Sequence, residues 1–174
     1  MTSLLSVLAL AACGSSGGSK TSGETRQPSS PGTAATGSAS GKPCVAVSEP
    51  LPAGAPAVPV KVGPPPTTLV SEDITPGTGT AATATSTVVA DYVGVSCSTG
   101  KIFDSSYSRG EPATFPLSNV IPGWQQGIPG MKVGGTRLLG IPAALAYGSS
   151  PPPGSGIAPD EPLWFVVTLR DVQG

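Results

Sequence analysis

Glycine and proline make up 45 of the 174 residues, and their placement limits how much of this chain can fold. Between residues 14 and 42 the chain is almost entirely Gly, Ser, Thr, Ala and Pro, with no hydrophobic periodicity. Such a segment buries too little apolar surface to offset the entropy of ordering it, so it reads as disordered. From Pro43 the character shifts to Pro, Val and Ala, and Ala55 to Val62 alternates proline with small apolar residues. That pattern suits an extended, polyproline-like run along the edge of whatever follows. Pro64-Pro65-Pro66 makes a stiff stop. Composition therefore predicts a linker over 13–66, disordered to extended, and one globular domain over 67–174, long enough for a single core. No internal repeat is visible.

The N-terminus reads as a targeting segment. Leu4 to Ala12 is a largely apolar run of nine residues, far short of the roughly 20 that a spanning helix needs. It suits the h-region of a secretory signal over residues 1–12, although Met1-Thr2-Ser3 lacks the usual basic residue. The run ends Leu10-Ala11-Ala12-Cys13, which is similar to a bacterial lipobox, in which the cysteine thiol carries a diacylglycerol. Two or more acyl chains, at ~0.8 kcal/mol per buried methylene, hold a protein on a membrane. The expectation is a bacterial lipoprotein anchored through Cys13 on the extracytoplasmic face. Cys44 and Cys97 then remain as an even pair in an oxidising setting, able to form a disulfide or to stay as two thiols.

Charge narrows the partners. The formal net charge is −1, and no basic tract interrupts the chain, which argues against nucleic acid. There is no histidine, and no cysteine pair stands at metal-ligand spacing. No metal and no cofactor is expected. Within 67–174, Thr67–Ile74, Thr85–Val95, Lys101–Ser105, Ala113–Leu117, Thr136–Ile141 and Leu163–Val172 read as strands from their β-branched content and flanking turn residues. Leu163-Trp-Phe-Val-Val is apolar on both faces. One short helix is predicted over Gly123–Ile128, between Pro122 and Pro129-Gly130. Many antiparallel strands with one short helix imply an α+β fold, a curled sheet wrapped over that helix.

The chemistry concentrates between Tyr92 and Gly148, where a chain only 5% aromatic and 11% charged places most of its rings together with the carboxylate of Asp104. That set suits a shaped apolar pocket better than acid–base work. Taken singly, each ring would be read as core and Asp104 as a turn residue. In order along the chain, however, Asp-Tyr92-Val-Gly, Phe103-Asp104-Ser-Ser, Val120-Ile121-Pro-Gly-Trp124 and Ala-Tyr147-Gly closely resemble the FKBP-type peptidyl-prolyl cis-trans isomerases. The resemblance covers about Leu69 to Val172.

It implies a curled half-barrel sheet over one helix and a pocket that grips the proline ring. Tyr92, Phe103, Asp104, Trp124 and Tyr147 match the catalytic set, with Trp124 as floor, Asp104 beside the bound carbonyl and the Tyr147 hydroxyl as a donor to it. Arg109 matches the arginine that supports the aspartate. Ile157 and Phe165 match the loop and final-strand residues that close the pocket, Phe115 a core aromatic next to its wall, and Val120 and Ile121 the segment whose Val120 backbone N–H donates to the ligand. The implied activity is rotation about Xaa–Pro bonds of proline-containing polypeptides, in a monomer that also takes macrolides of the rapamycin type. A binding or chaperone module that holds such segments without turnover is the alternative. Three departures stand out: Ala113 where the best-known members have a wall phenylalanine, a shorter Leu117–Val120 segment, and a loop from Ser149 to Ile157 stiffened by Pro151-Pro152-Pro153.

Overall fold

The computed structural model describes residues 41–173. The signal segment, Cys13 and the Gly/Ser-rich stretch up to residue 40 lie outside the described residues.

Six strands form one antiparallel sheet: β1 (Val70–Thr75), β2 (Thr87–Ser96), β3 (Ile102–Ser105), β4 (Ala113–Pro116), β5 (Thr136–Ile141) and β6 (Leu163–Gln173). Their spatial order is β1-β5-β6-β2-β3, and β4 shares the outer edge of β2 with β3. β2 and β6 form the spine, pairing from Thr87↔Gln173 to Ser96↔Leu163 with a bulge between Val89 and Ala90. β4 pairs with the first half of β2 and β3 with the second. A second bulge, between Gly94 and Val95 opposite β3, bends the edge where the site lies, as bulges do. Two short helices complete the set, α1 (Ser106–Arg109) and α2 (Pro122–Gly127). The single turn of α1 has no signal in the sequence, because four residues rich in serine carry no helical period.

The strand period of two sorts the apolar residues into two cores. On the inner face Val88, Ala90 and Tyr92 of β2 join Leu163, Phe165, Val167 and Leu169 of β6, with Leu139, Ile141, Trp124 and Ile128. Helix α2 packs on this face. Pro122 opens it, as suits a residue without an N–H at the first helical position. Gly123 allows the close approach: a Cβ there would stand 2.4 Å from Ile141 Cγ2.

The outer face is also apolar, with Val93 and Val95 of β2, Leu138 of β5, and Trp164 and Val166 of β6. Residues 43–66 cover it, placing Cys44 and Val58 in that core and packing Val47, Leu51, Ala55 and Val60 against it. This strap is tied down at several points. Cys44 is disulfide-bonded to Cys97, and the Trp164 indole Nε1–H donates to Cys44 Sγ at 3.2 Å. Val45 N donates to Cys97 O at 2.8 Å and Ser48 N to Gly100 O at 2.9 Å, while Lys61 pairs with Glu72. The compact unit therefore starts upstream of the Thr67 boundary suggested by composition, and residues 44–66 belong to the same unit as the sheet. The physical reason is the outer face: the both-sided apolar pattern of Leu163–Val167 requires cover, and the Val/Pro run supplies it.

Candidate active site

The pocket opens on the inner face beside β3, with a cavity of about 250 Å³ lined by Tyr92, Phe103, Asp104, Phe115, Asn119, Val120, Ile121, Trp124, Tyr147 and Phe165. The elements converge because of register and of the short helix. Gly94 and Phe165 are direct partners across β2 and β6, and the bare Gly94 leaves room for two rings. A Cβ built there would meet Phe103 Cζ at 2.6 Å and Phe165 Cε1 at 2.8 Å. Helix α2 brings Trp124 under the same space.

The rings lock edge to face. Trp124 stands 5.4 Å from both Phe115 and Phe165, and 5.5 Å from Tyr92, between ring centroids. Phe103 and Phe165 are 5.5 Å apart at 89°. Each such contact contributes roughly 0.5–1.5 kcal/mol beyond area burial, so the apolar walls form a stiff, preformed shape. Trp124 is 4% exposed, and its Nε1–H finds no acceptor among the described residues.

The polar side is equally constrained. The Tyr92 hydroxyl donates to Asp104 Oδ2 at 2.5 Å. From the end of α1, Arg109 donates through Nη1 to Asp104 Oδ1 at 2.5 Å and through Nη2 to the Tyr92 hydroxyl oxygen at 2.7 Å. Its guanidinium carbon sits 5.5 Å from the Tyr92 ring centre. Each carboxylate oxygen thus accepts one of these hydrogen bonds, which sets the orientation of Asp104 beside the cavity.

Burial, and then the hydrogen bond to the Asp104 carboxylate, push the Tyr92 hydroxyl up to about 12. Burial and the nearby charge of Asp104 raise Tyr147 as well. The hydrogen bonds to Tyr92 and Asp104 raise Arg109 above its already high value. Both phenols therefore remain neutral donors at ordinary pH. Behind the site, Ser106 Oγ accepts from Tyr92 N and donates to Asp91 Oδ1, each at 2.9 Å, while Arg170 Nε reaches Asp91 Oδ2 at 2.7 Å. This fixes the start of α1, and so the reach of Arg109, to the strand that carries Tyr92.

Nine of the eleven residues singled out in the sequence line this cavity. Arg109 stands behind Asp104 without lining it. Ile157 packs against the inner core from its loop but is not part of the lining. Ala113 also packs against that core and does not line the cavity. Asn119 lines it and was missed: a single asparagine in a loop reads as a turn residue, and its only signal was its place next to Val120-Ile121. Among the lining residues Asp104 is the one charged group, and no group of three His, Cys, Asp or Glu residues stands in ligating reach among the described residues.

A curled antiparallel sheet that holds a ring-walled cavity above a short helix defines a class. The model of the family described as FKBP-type peptidyl-prolyl cis-trans isomerase matches residues 78–170. The chain belongs to that family and is a peptidyl-prolyl isomerase of the FKBP type. It is 52% identical over 109 residues to an FK506-binding protein of Streptomyces anulatus, covering 62% of this chain and 88% of that one. It is 46% identical over 107 residues to the FKBP-type isomerase FkpA of Escherichia coli, covering 62% of this chain and 38% of that protein. Among solved structures, the crystal structure of FkpA matches with a TM-score of 0.57 at 45% identity, covering 62% of this chain and 49% of that one. A peptidyl-prolyl isomerase from Pseudomonas syringae matches at 0.55 and 36% identity, covering 61% and 76%.

Proposed function

We propose that this chain accelerates rotation about Xaa–Pro bonds in proteins outside the cytoplasm, held at the bacterial membrane by a lipid on Cys13. The observation that carries the chemistry is an aromatic cavity whose one lining carboxylate is held by Tyr92 and Arg109. The reaction needs no base. The barrier, ~18–20 kcal/mol, comes from amide resonance, and uncatalysed exchange takes tens to hundreds of seconds.

The planar amide has a polar, well-hydrated carbonyl, whereas the twisted amide has less charge separation. A dry cavity therefore favours the twisted state, which is the differential binding that catalysis requires. Trp124, Phe165 and Tyr92 grip the proline ring. The neutral Tyr147 hydroxyl and a backbone N–H of Val120–Ile121 hold carbonyls of the substrate. Asp104 places its fixed charge beside the rotating amide, and Arg109 keeps it there. Proline-containing polypeptides are the substrates, macrolides of the rapamycin type compete for the same cavity, and the chain acts as a monomer.

The test is exchange of an Xaa–Pro peptide measured with the full chain, with and without such a macrolide. Acceleration that the macrolide blocks, and that Asp104→Leu or Phe103→Ala removes while the fold survives, is the expected result. Peptide binding with an unchanged exchange rate would select a holding module instead. For the anchor, a fatty-acid label that persists in Cys13→Ala would end the lipoprotein reading.

A further inference from the structure

One polar side chain beside the cavity is not explained by the fold. Gln125 lies on the exposed side of α2, one residue after the pocket floor. Its Nε2 donates to the Val120 carbonyl oxygen at 2.7 Å, with Ser118 O at 3.5 Å. Both partners are acceptors, so only the amide nitrogen can face them.

Val120 and Ile121 line the cavity, and neither of their N–H groups donates to an acceptor among the described residues. The Val120 C=O and the Ile121 N–H belong to one peptide plane. No described peptide bond is cis, and in a trans peptide these two groups point in opposite directions. Fixing the carbonyl toward Gln125 at the solvent side turns the N–H the other way.

We infer that Gln125 is a positioning residue for catalysis: it clamps the Val120–Ile121 peptide plane so that the Ile121 N–H faces into the cavity as a preset donor for a substrate carbonyl. The Ile121 carbonyl is held by Trp124 N at 2.9 Å and Gln125 N at 3.2 Å, and both side chains pack against the inner core, but among the described residues the Val120 carbonyl has only the Gln125 side chain as partner. The segment lies between a single 3-10 turn at Leu117–Asn119 and the six-residue α2, and Val120 and Ile121 belong to no strand. A donor whose direction is set before binding avoids the cost of ordering it in the complex. The inference rests on the isomerase reading of the same cavity.

The test separates donor chemistry from shape. Gln125→Glu keeps the shape but replaces the donor by a carboxylate facing a carbonyl. Gln125→Lys changes the shape and keeps a donor. Gln125→Ala removes both. With peptide exchange as the assay, kcat/KM should fall about fivefold in Q125A, in line with one lost hydrogen bond, and further in Q125E. Q125K should recover to within about twofold of the parent. In parallel, the Ile121 amide proton should shift on peptide binding in the parent and Q125K and respond weakly in Q125E.

A structural role alone would leave Q125E, the closest shape match, as the best variant. Q125E matching the parent in rate and in amide response would overturn the proposal. A parent chain that binds peptide without accelerating exchange would instead overturn the isomerase reading. The amide response would then still decide the role of Gln125.

Discussion

Gly94 is the position at which one added methyl group should do most harm to the cavity. Its backbone lies outside the left-handed region, so alanine meets no conformational barrier there and the consequence is purely steric. The new Cβ would stand 2.6 Å from Phe103 Cζ and 2.8 Å from Phe165 Cε1, whereas carbon atoms rest at about 3.5–4.0 Å. One or both rings must retreat by roughly 1 Å.

Phe165 is 4% exposed and packed in the inner core on all but its cavity side, so it yields less readily. Phe103 is only half-buried and swings into the cavity, which is only about 250 Å³. Overpacking of this kind costs about 1–3 kcal/mol, and alanine recovers about 0.4–1 kcal/mol by restricting the unfolded chain. A net loss of roughly 1–2 kcal/mol should appear in urea unfolding.

The loss in kcat/KM should be larger in proportion. A displacement near 1 Å at a wall that positions the substrate can cost up to about a hundredfold, and at least tenfold is expected in peptide exchange. Gly94→Ala with stability at or above that of the parent and activity within twofold of it would refute the idea that the Phe103–Phe165 pair sets the shape of the pocket.

Four further outcomes follow from the same geometry. Tyr92→Phe removes the hydroxyl shared by Asp104 and Arg109 but leaves their ion pair; stability should fall by about 1 kcal/mol and kcat/KM several-fold, which thermal unfolding and peptide exchange would show. The pH dependence follows from the raised phenols. Tyr92 in the folded chain titrates near 12 against 10 for an ordinary tyrosine, so its contribution is complete below pH 10 and is lost as pH rises toward 12. Activity should therefore be flat from about pH 6 to 9, with stability beginning to fall only above 10, and a histidine-like step near neutrality would contradict the site described. Replacing Cys44 and Cys97 by serine opens a cross-link spanning 53 residues, which should cost about 2–4 kcal/mol in denaturant unfolding. A fragment beginning at Thr67, which bares Val93, Val95, Leu138, Trp164 and Val166, should aggregate or fail to fold, and a soluble fragment with the parent's midpoint would show that the strap is dispensable.

Much of the inner architecture was readable in the chain because it depends on local pattern. Thr136–Ile141 was delimited by its turn residues, and the β-branched runs of β2 and β6 needed only their ends adjusted by one or two residues. The short helix α2 was marked by Pro122 at its start and by Pro129-Gly130 beyond its end. The pocket set was readable for a different reason: four short motifs in order carry the resemblance, although no one of their residues would have sufficed.

What stayed hidden depends on how turns and loops fold back onto the sheet, which carries no periodic signal in the chain. Asn119 lines the cavity only because the turn at Leu117–Asn119 is folded back beside α2. Ile157 and Arg109, matched by motif, stand behind the lining because loop and helix geometry sets their distance from it.

Taken alone, the sequence determined that the chain has a short apolar start and then a polar, unpatterned stretch, a β-rich body, and a concentration of rings around Asp104 with no histidine. Those properties are written in composition and period. Only the tertiary structure decided that Arg109 and the Tyr92 hydroxyl would occupy both oxygens of Asp104, and that residues 43–66 would leave the linker and become the cover of the sheet's outer face. The physical reason is the same in both cases. A charge finds its partners, and an apolar face its cover, through space: the first distance exists only once β3 and α1 have folded back on β2, the second only once β2, β6 and β5 have paired.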